Sequence, residues 1–285
     1  MRPRGPQLYD DGMCIAYRTT PVDGEPAELW LLKESLRDEP DFVAMFADGC
    51  TFLARFALAS LARVAELEEG SAVLVAQPWV ALASLLRAGG VPPGLAVTVL
   101  RDLARDLARL PSDVALRSLS PRSLAIAVTG RPRILNPALA RFADRLTTSQ
   151  PGIIKGPLRY ISPEVASGER AGAASDVFSA GLVLHELLCG RHPVEDARND
   201  IDALMRLRAA ELPTLASRRP DLPVALTSAI DRMLAREPGD RPAPGELADW
   251  LEARLPAYLW PGDRVLVEIK ALAPEAVEAA IVYGF

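Results

Sequence analysis

The chain carries the stretch Gly156-Pro-Leu-Arg-Tyr-Ile-Ser-Pro-Glu164, followed by Ser175-Asp-Val-Phe-Ser-Ala-Gly181 and then by Ala235-Arg-Glu-Pro-Gly-Asp-Arg241-Pro242. Apolar periodicity predicts helices over residues 177–189, 201–210, 226–235 and 246–255, around and between these segments. Stretches that contain proline and glycine separate the helices. The second half of the chain is therefore predicted to be helical.

Upstream of these segments the pattern is mixed. Short apolar runs at 27–32 and 72–75 predict buried strands, and Asp41 is a candidate N-cap for a helix between them. Leucines and valines from residue 97 to 110, spaced by three and four, predict a further helix. A strand-containing region thus joins a larger helical region near Gln77-Pro78-Trp79.

Composition narrows the class of protein. Of 285 residues, 49% are hydrophobic and 24% charged, and the formal net charge is −5, so the chain is predicted to be globular. Mild acidity argues against nucleic-acid binding, and no apolar run is long enough to span a membrane. Three cysteines form no paired framework, which is typical of a reducing compartment. We expect a soluble cytoplasmic protein.

The order and spacing of the three segments resemble the eukaryotic-type Ser/Thr protein kinases of bacteria. The first segment resembles the end of the activation segment, the second the start of the central helix, and the third the turn before the last helix. Further similarity extends over residues 8 to 255. It includes 12–17 for the glycine-rich loop, 30–33 for the third-strand lysine motif, 116–123 for the catalytic loop and 133–141 for the D-F-G segment.

The resemblance implies which groups should transfer a phosphoryl group, and several are replaced. Ser118 stands at the position of the catalytic base, where a hydroxyl cannot accept a proton near neutral pH. Ser123 and Asn136 replace the two metal-holding groups, and a neutral amide binds a hard cation weakly. Gly49 replaces the helix acid that should pair with Lys33. We therefore expect no catalytic residue, no bound metal and no cofactor.

Other positions leave two interpretations open. Lys33 either contacts a nucleotide phosphate or pairs with a nearby acid. Arg117 either clamps a phosphorylated residue among Thr147, Thr148 and Ser149 or makes a plain loop hydrogen bond. At the hinge, Pro78 lacks an N–H and Trp79 is a candidate to fill the purine space.

Two further patterns complete the candidate sites. Glu164 and Arg241 match the family's buried ion pair. His185, Cys189 and His192 have metal-ligand spacing, but they lie where the family's helix end varies freely, which favours a structural interpretation. The sequence contains no G-x-x-x-x-G-K-[ST], H-E-x-x-H or G-x-S-x-G motif, which argues against P-loop, zincin and hydrolase chemistry.

These observations predict an α+β protein with the two-lobe kinase-like fold. Its parts are an N-lobe over 1–80 with five strands and one helix, a helical C-lobe over 81–255 and an extension over 256–285. The expected function is that of a catalytically inactive pseudokinase. Such a protein acts as a scaffold or allosteric regulator of a protein partner, either an active Ser/Thr kinase or its substrate. The alternative is a divergent transferase with relocated catalytic groups.

The extension is too apolar to remain in water. Alternating residues predict a strand over Arg264–Lys270, and Pro274 and Glu275 predict the start of a helix. Either this segment folds back onto its own lobes, or the strand adds to the sheet edge of another subunit and makes a homo-oligomer through residues 256–285.

Overall fold

The computed structural model describes residues 2–86, 90–135, 137, 140 and 157–282 of the chain. The strands of these ranges are β1 (Gln7–Asp10), β2 (Cys14–Val22), β3 (Glu25–Leu32), β4 (Arg63–Glu68), β5 (Ser71–Val75), β6 (Trp79–Ala81), β7 (Leu124–Ala127) and β8 (Pro132–Ile134). The helices are α1 (Pro40–Arg55), α2 (Leu82–Leu86), α3 (Pro93–Leu107), α4 (Pro163–Ala166), α5 (Ala173–Cys189), α6 (Asp200–Ala209), α7 (Leu215–Arg218), α8 (Val224–Met233), α9 (Pro244–Arg254), α10 (Gly262–Leu272) and α11 (Pro274–Val282).

The N-terminal lobe is an antiparallel sheet with the strand order β1-β2-β3-β5-β4, packed against α1. Strand β3 alternates, so that Trp30 and Leu32 join the core beneath α1 while Leu29 and Leu31 pack on the opposite face. Helix α1 begins at Pro40, which has no N–H to leave unsatisfied at the first helical position. Asp41 therefore lies in the first turn and is not the N-cap that the sequence suggested.

The C-terminal lobe is built around α5, whose side chains are almost all buried. Helices α3, α8 and α9 pack against it, and the predicted helices of this region are confirmed within a few residues at their ends. A small antiparallel sheet, β6-β7-β8, lies where the two lobes meet. The protein is thus an α+β protein with a sheet-containing N-terminal lobe and a helical C-terminal lobe, as predicted.

The C-terminal extension folds back onto the chain itself. The predicted strand over Arg264–Lys270 is wrong, because these residues lie inside α10. Val265 and Ile269 are four residues apart, so one helix face carries both, and both are fully buried while Val267 is 64% exposed. The predicted helix at Pro274 is confirmed as α11. Both helices contribute to the C-lobe core, so addition of this segment as a strand to another subunit's sheet is ruled out by its helical structure.

Glycines allow the extension to approach the lobe closely. A Cβ atom at Gly94 of α3 would lie 2.0 Å from the indole of Trp260. A Cβ at Gly130, in the β7–β8 turn, would lie 2.5 Å from the backbone of Gly262. The Thr98 hydroxyl accepts a hydrogen bond from the backbone N–H of Trp260 at 2.8 Å. These contacts attach the extension to α3 and to the β7–β8 turn.

Two further properties of the described residues concern membrane crossing and the cysteines. Within the described ranges, no helix combines the length and the apolar character required to cross a bilayer. Cys14 and Cys50 are buried, Cys189 is half-buried, and all three thiols are free.

Candidate functional site

A cleft of about 700 Å³ separates the two lobes. Its upper wall comes from β1, the turn after it and α1, and its lower wall comes from the segment 118–123. Two carboxylates line it. Asp10, at the end of β1, forms an ion pair with Lys33 at 2.8 Å, and Asp11, in the turn, accepts the backbone N–H groups of Met13 and Cys14. The cleft is where the resemblance places the reacting groups.

The backbone of the lower wall is held by a buried acid. Asp176, near the start of α5, accepts the N–H of Leu116 at 2.7 Å and that of Arg117 at 3.0 Å. Arg117 has a φ of +63°, in the left-handed region that side chains other than glycine seldom adopt. The two hydrogen bonds offset the cost of this conformation, so the segment keeps a defined shape although its side chains differ from those of the family.

The structure brings Ser118 and Ser123 together on the lower wall of the cleft. The Ser123 hydroxyl donates to the backbone carbonyl of Ser118 and accepts the N–H of Ser120 at 2.9 Å. Ser118 is 6% exposed, and its hydroxyl has no hydrogen-bond partner among the described residues. Within the segment 118–123, the side chains that line the lower wall are three serines and Arg122. Asn136, Thr147, Thr148 and Ser149 lie outside the described residues.

Lys33 and the α1 residues at the position of the helix acid are placed as follows. Lys33, which the motif placed on the third strand, instead follows the last residue of β3 and pairs with Asp10. The bond from Lys33 holds the pKa of the Asp10 carboxyl below its ordinary value. Gly49 is buried within α1, and its neighbour Asp48 is buried as well. At the inward-facing positions of β3 stand Glu28 and Trp30 instead of a lysine.

These two residues belong to a group that we call the Glu28 cluster: Glu28, Trp30, Trp79 and Arg133. The Glu28 carboxylate is fully buried and accepts four N–H donors. The indole of Trp30 donates at 2.9 Å, the indole of Trp79 at 2.6 Å, and Arg133 donates twice, at 2.9 and 2.8 Å. The cluster joins β3 of the N-terminal lobe to β8 and to the strand that follows the hinge.

Aromatic packing closes the cluster toward the cleft. The ring of Tyr9, a cleft residue, lies 5.6 Å from that of Trp30 and 5.9 Å from that of Trp79. The guanidinium of Arg133 lies 5.6 Å from the Trp79 ring and donates to the hinge carbonyl of Gln77 at 3.2 Å. Protein side chains thus occupy the space between β3, the hinge and β8, and Trp79 is buried there.

Two opposing effects determine the charge of Glu28. Burial alone would raise the pKa of its carboxyl, but Arg133 and the two indole N–H donors outweigh burial and hold the pKa below its ordinary value. The ion pair is therefore present at neutral pH. Sequence reasoning missed Glu28 and Arg133. The available signal was one carboxylate inside the apolar run 27–32, two residues before a tryptophan.

The predicted ion pair of the C-terminal lobe is confirmed. Arg241 donates to both oxygens of Glu164, at 2.9 and 2.8 Å, and the Ser175 hydroxyl donates to the same carboxylate at 2.6 Å. Burial opposes the charge of Glu164, but these donors hold the pKa of its carboxyl below the ordinary value. The pair connects α4 to the turn before α9.

The histidines of α5 and of the loop after it are buried. Within the described part of the chain, no group of three or more His, Cys, Asp or Glu side chains is placed to hold a metal ion. Burial lowers the pKa of both His185 and His192 to about 4. His192 accepts the N–H of Val194 on its Nδ1, so it has a structural role in the loop.

These pKa values predict acid sensitivity. An unfolded histidine titrates near 6.5, so between that pH and about 4 the unfolded state binds protons that the folded state does not. Stability is therefore lost as the pH falls through this window, by about 3 kcal/mol for each histidine at its lower end. Urea unfolding of the wild type and of His185→Leu should show a smaller loss between pH 7.5 and 5 in the variant.

Glu186 acts in the opposite direction, because burial raises the pKa of its carboxyl. It is present in both proteins and cancels in their comparison. An identical loss of stability in the wild type and in His185→Leu would contradict the assignment to His185.

Comparison with known proteins agrees with this geometry. The family model for the protein kinase domain matches residues 139–250. Tyrosine-protein kinase MasK of Myxococcus xanthus is 31% identical over 244 residues, which are 79% of this chain and 38% of that protein. Serine/threonine-protein kinase PkaA of Streptomyces coelicolor is 30% identical over 240 residues, which are 80% of this chain and 43% of that protein. The chain spans about two fifths of the length of these two relatives.

Proposed function

The chain has the protein kinase fold and is a relative of the bacterial eukaryotic-type Ser/Thr kinases, and from this premise we propose that it is a pseudokinase. It transfers no phosphoryl group and acts by binding a protein partner, as a scaffold or an allosteric regulator. The observation that carries the proposal is the Glu28 cluster, which fills the space between β3, the hinge and β8 with protein side chains.

The first supporting argument is chemical. Phosphoryl transfer depends on a positioned base and on cations that neutralise the phosphates. Ser118 supplies no base, and general base catalysis alone accounts for about 10²–10⁴ in rate. Ser123 is committed to the backbone of Ser118 and offers no amide oxygen for a metal ion. Losses at interacting groups are not additive, but together these replacements should remove measurable transfer.

The second argument is steric and electrostatic. A purine ring placed beside the hinge must displace the indole of Trp79, which is 9% exposed and bonded to Glu28. If that indole is displaced, the buried carboxylate of Glu28 loses an N–H donor. The guanidinium of Arg133 also loses its contact with the Trp79 ring. The penalty for leaving such groups unpaired exceeds what a weak nucleotide contact gains.

A protein partner is supported by exposed apolar side chains on the C-terminal lobe. Ile201 and Met205 are four residues apart on α6 and are 71% and 66% exposed, and Leu158 of the adjoining 3-10 turn is 38% exposed. Exposed apolar residues on neighbouring elements are typical of protein-binding surfaces. An active Ser/Thr kinase or its substrate remains the partner that we propose. Association of two copies through residues 256–285 stays a prediction.

One observation favours the alternative, a transferase with relocated groups. The relatives bear kinase names, and the cleft is lined by Asp10 and Asp11, either of which is a carboxylate near the expected reaction space. Both acids are already bonded, Asp10 to Lys33 and Asp11 to two backbone N–H groups. We therefore rank this function second.

The two functions are separated by nucleotide binding and label transfer. We expect millimolar ATP, with magnesium or manganese, to leave the melting temperature of the chain unchanged. Radiolabelled ATP should transfer no more label to the chain, or to a generic protein substrate, than it does with Lys33→Ala. A metal-dependent rise in melting temperature that Lys33→Ala abolishes would contradict the filled nucleotide site. Label transfer that Asp11→Asn abolishes would establish the transferase instead.

A further inference from the structure

A second groove, which we call the rear groove, shares no lining residue with the cleft. It lies among the loop that precedes β4, helix α3 and the start of β8, and it has two adjoining parts of about 520 and 240 Å³. Both parts are lined by Ser60 and Arg131. The space exceeds the volume of a small ion and is open to larger ligands.

Two buried polar groups of the rear groove lack partners. Ser60 is 1% exposed; its backbone N–H donates to Asp106 at 2.7 Å, yet its hydroxyl has no hydrogen-bond partner among the described residues. Arg133 is 5% exposed, and although its two Nη atoms are bonded, its Nε has no such partner. Buried donors without acceptors are rare and costly, so these two groups indicate a ligand that accepts hydrogen bonds.

The charges of the rear groove point to an anion. Three of its acids are paired with arginines: Asp102 with Arg101 at 2.5 Å, Glu252 with Arg105 at 2.7 Å and Glu25 with Arg63 at 3.2 Å. Asp106 accepts the N–H of Ser60, which leaves one negative charge to set against the arginines. Two of its arginines remain uncompensated. Arg109 and Arg131 are exposed and form no ion pair among the described residues. The groove therefore offers unpaired guanidinium groups together with a free hydroxyl and a free N–H.

We propose that the rear groove binds a phosphate group, either as inorganic phosphate or as a phosphate monoester on a peptide. Guanidinium groups bind phosphate through charge-assisted bonds, and a tetrahedral anion accepts donors from several directions at once. Arg131 and Ser60 line both parts of the groove and supply a charge and a buried hydroxyl. Arg109 adds charge in the larger part, and the Nε of Arg133 adds a buried donor in the smaller part. The proposal does not rest on whether the cleft is inactive, since the two sites share no lining residue.

Isothermal titration at low ionic strength tests this proposal with the full chain. The probes are inorganic phosphate and a pentapeptide, Gly-Ala-phosphoserine-Ala-Gly, with chloride and the unphosphorylated peptide as blanks. We expect saturable binding that Arg109→Ala or Arg131→Ala weakens about tenfold. Arg208→Ala, which removes an exposed arginine of α6, is the matched control and should leave binding unchanged.

Ser60→Ala gives a second, independent readout. It removes only the unpartnered hydroxyl, so it should weaken phosphate binding while the melting temperature in phosphate-free buffer does not fall. Tighter binding of the phosphopeptide than of phosphate identifies a peptide-borne ligand, and equal binding identifies free phosphate. Absence of saturable binding, or equal weakening by Arg208→Ala, would overturn the proposal.

Discussion

Replacing Glu28 with alanine is expected to lower the free energy of unfolding by about 3–5 kcal/mol. The carboxylate is fully buried and neutralises Arg133, which is itself 5% exposed. Without it, a guanidinium remains in the interior with no counter-charge, and the indoles of Trp30 and Trp79 lose their acceptor. The loss exceeds that of a typical hydrogen bond because an unpaired buried charge is left behind.

Urea unfolding at pH 7 measures this effect, and Glu25→Ala is its control on the same strand. Glu25 pairs with Arg63 at 3.2 Å, but both side chains are more than half exposed, so less than about 1 kcal/mol should be lost. The double variant Glu28→Leu with Arg133→Met should recover most of the stability, since it removes both charges and retains volume. Equal losses of unfolding free energy for Glu28→Ala and Glu25→Ala would show that the buried cluster stabilises the fold no more than an exposed ion pair does.

Arg241→Ala should be about as costly, again about 3–5 kcal/mol. The guanidinium neutralises Glu164, and its N–H groups also donate to the backbone carbonyls of Ala174, Ala235 and Arg236 at 2.8 to 2.9 Å. It lies 4.9 Å from the ring centre of Phe178. Truncation leaves the buried carboxylate without its counter-charge and removes the guanidinium donors from three carbonyls.

The lysine variant separates charge from geometry. Arg241→Lys restores a positive charge but not the planar set of donors, so it should recover only part of the loss. Arg232→Ala serves as the control, because Arg232 is exposed and lies 3.6 Å from Glu246. Full stability in Arg241→Lys, measured by urea unfolding, would mean that charge alone accounts for the pair.

The fold followed from the sequence where several motifs constrained one another. Glu164 and Arg241 are 77 residues apart, yet their motifs placed them correctly as a pair. The extension had no such support. Val265, Val267 and Ile269 alternate as in a strand, but Val265 and Ile269 also share a helix face, and only burial distinguishes the two patterns.

The site was predictable only in part, for a physical reason. The motif assigned Ser118 and Ser123 to the catalytic-loop position, and Trp79 was a candidate to fill the purine space. The partner of Trp79 was not predictable, because Glu28 is 51 residues away and the two residues belong to no shared motif. A local motif shows which catalytic side chain has been replaced. The partner of a buried charge depends on tertiary packing, which a local motif does not show.

The glycines under the extension carry an evolutionary consequence. The space next to Gly94 is filled by the indole of Trp260, so a larger residue at 94 requires a smaller residue at 260 or a displaced one. Gly130 and Gly262 are in backbone contact, so a side chain at position 130 would require the backbone at 262 to move. Substitutions at these positions are therefore expected to be inherited jointly. In descendants of this protein, a larger residue at position 94 should appear only with a smaller residue at position 260, and such paired replacement would record that the extension still packs on α3.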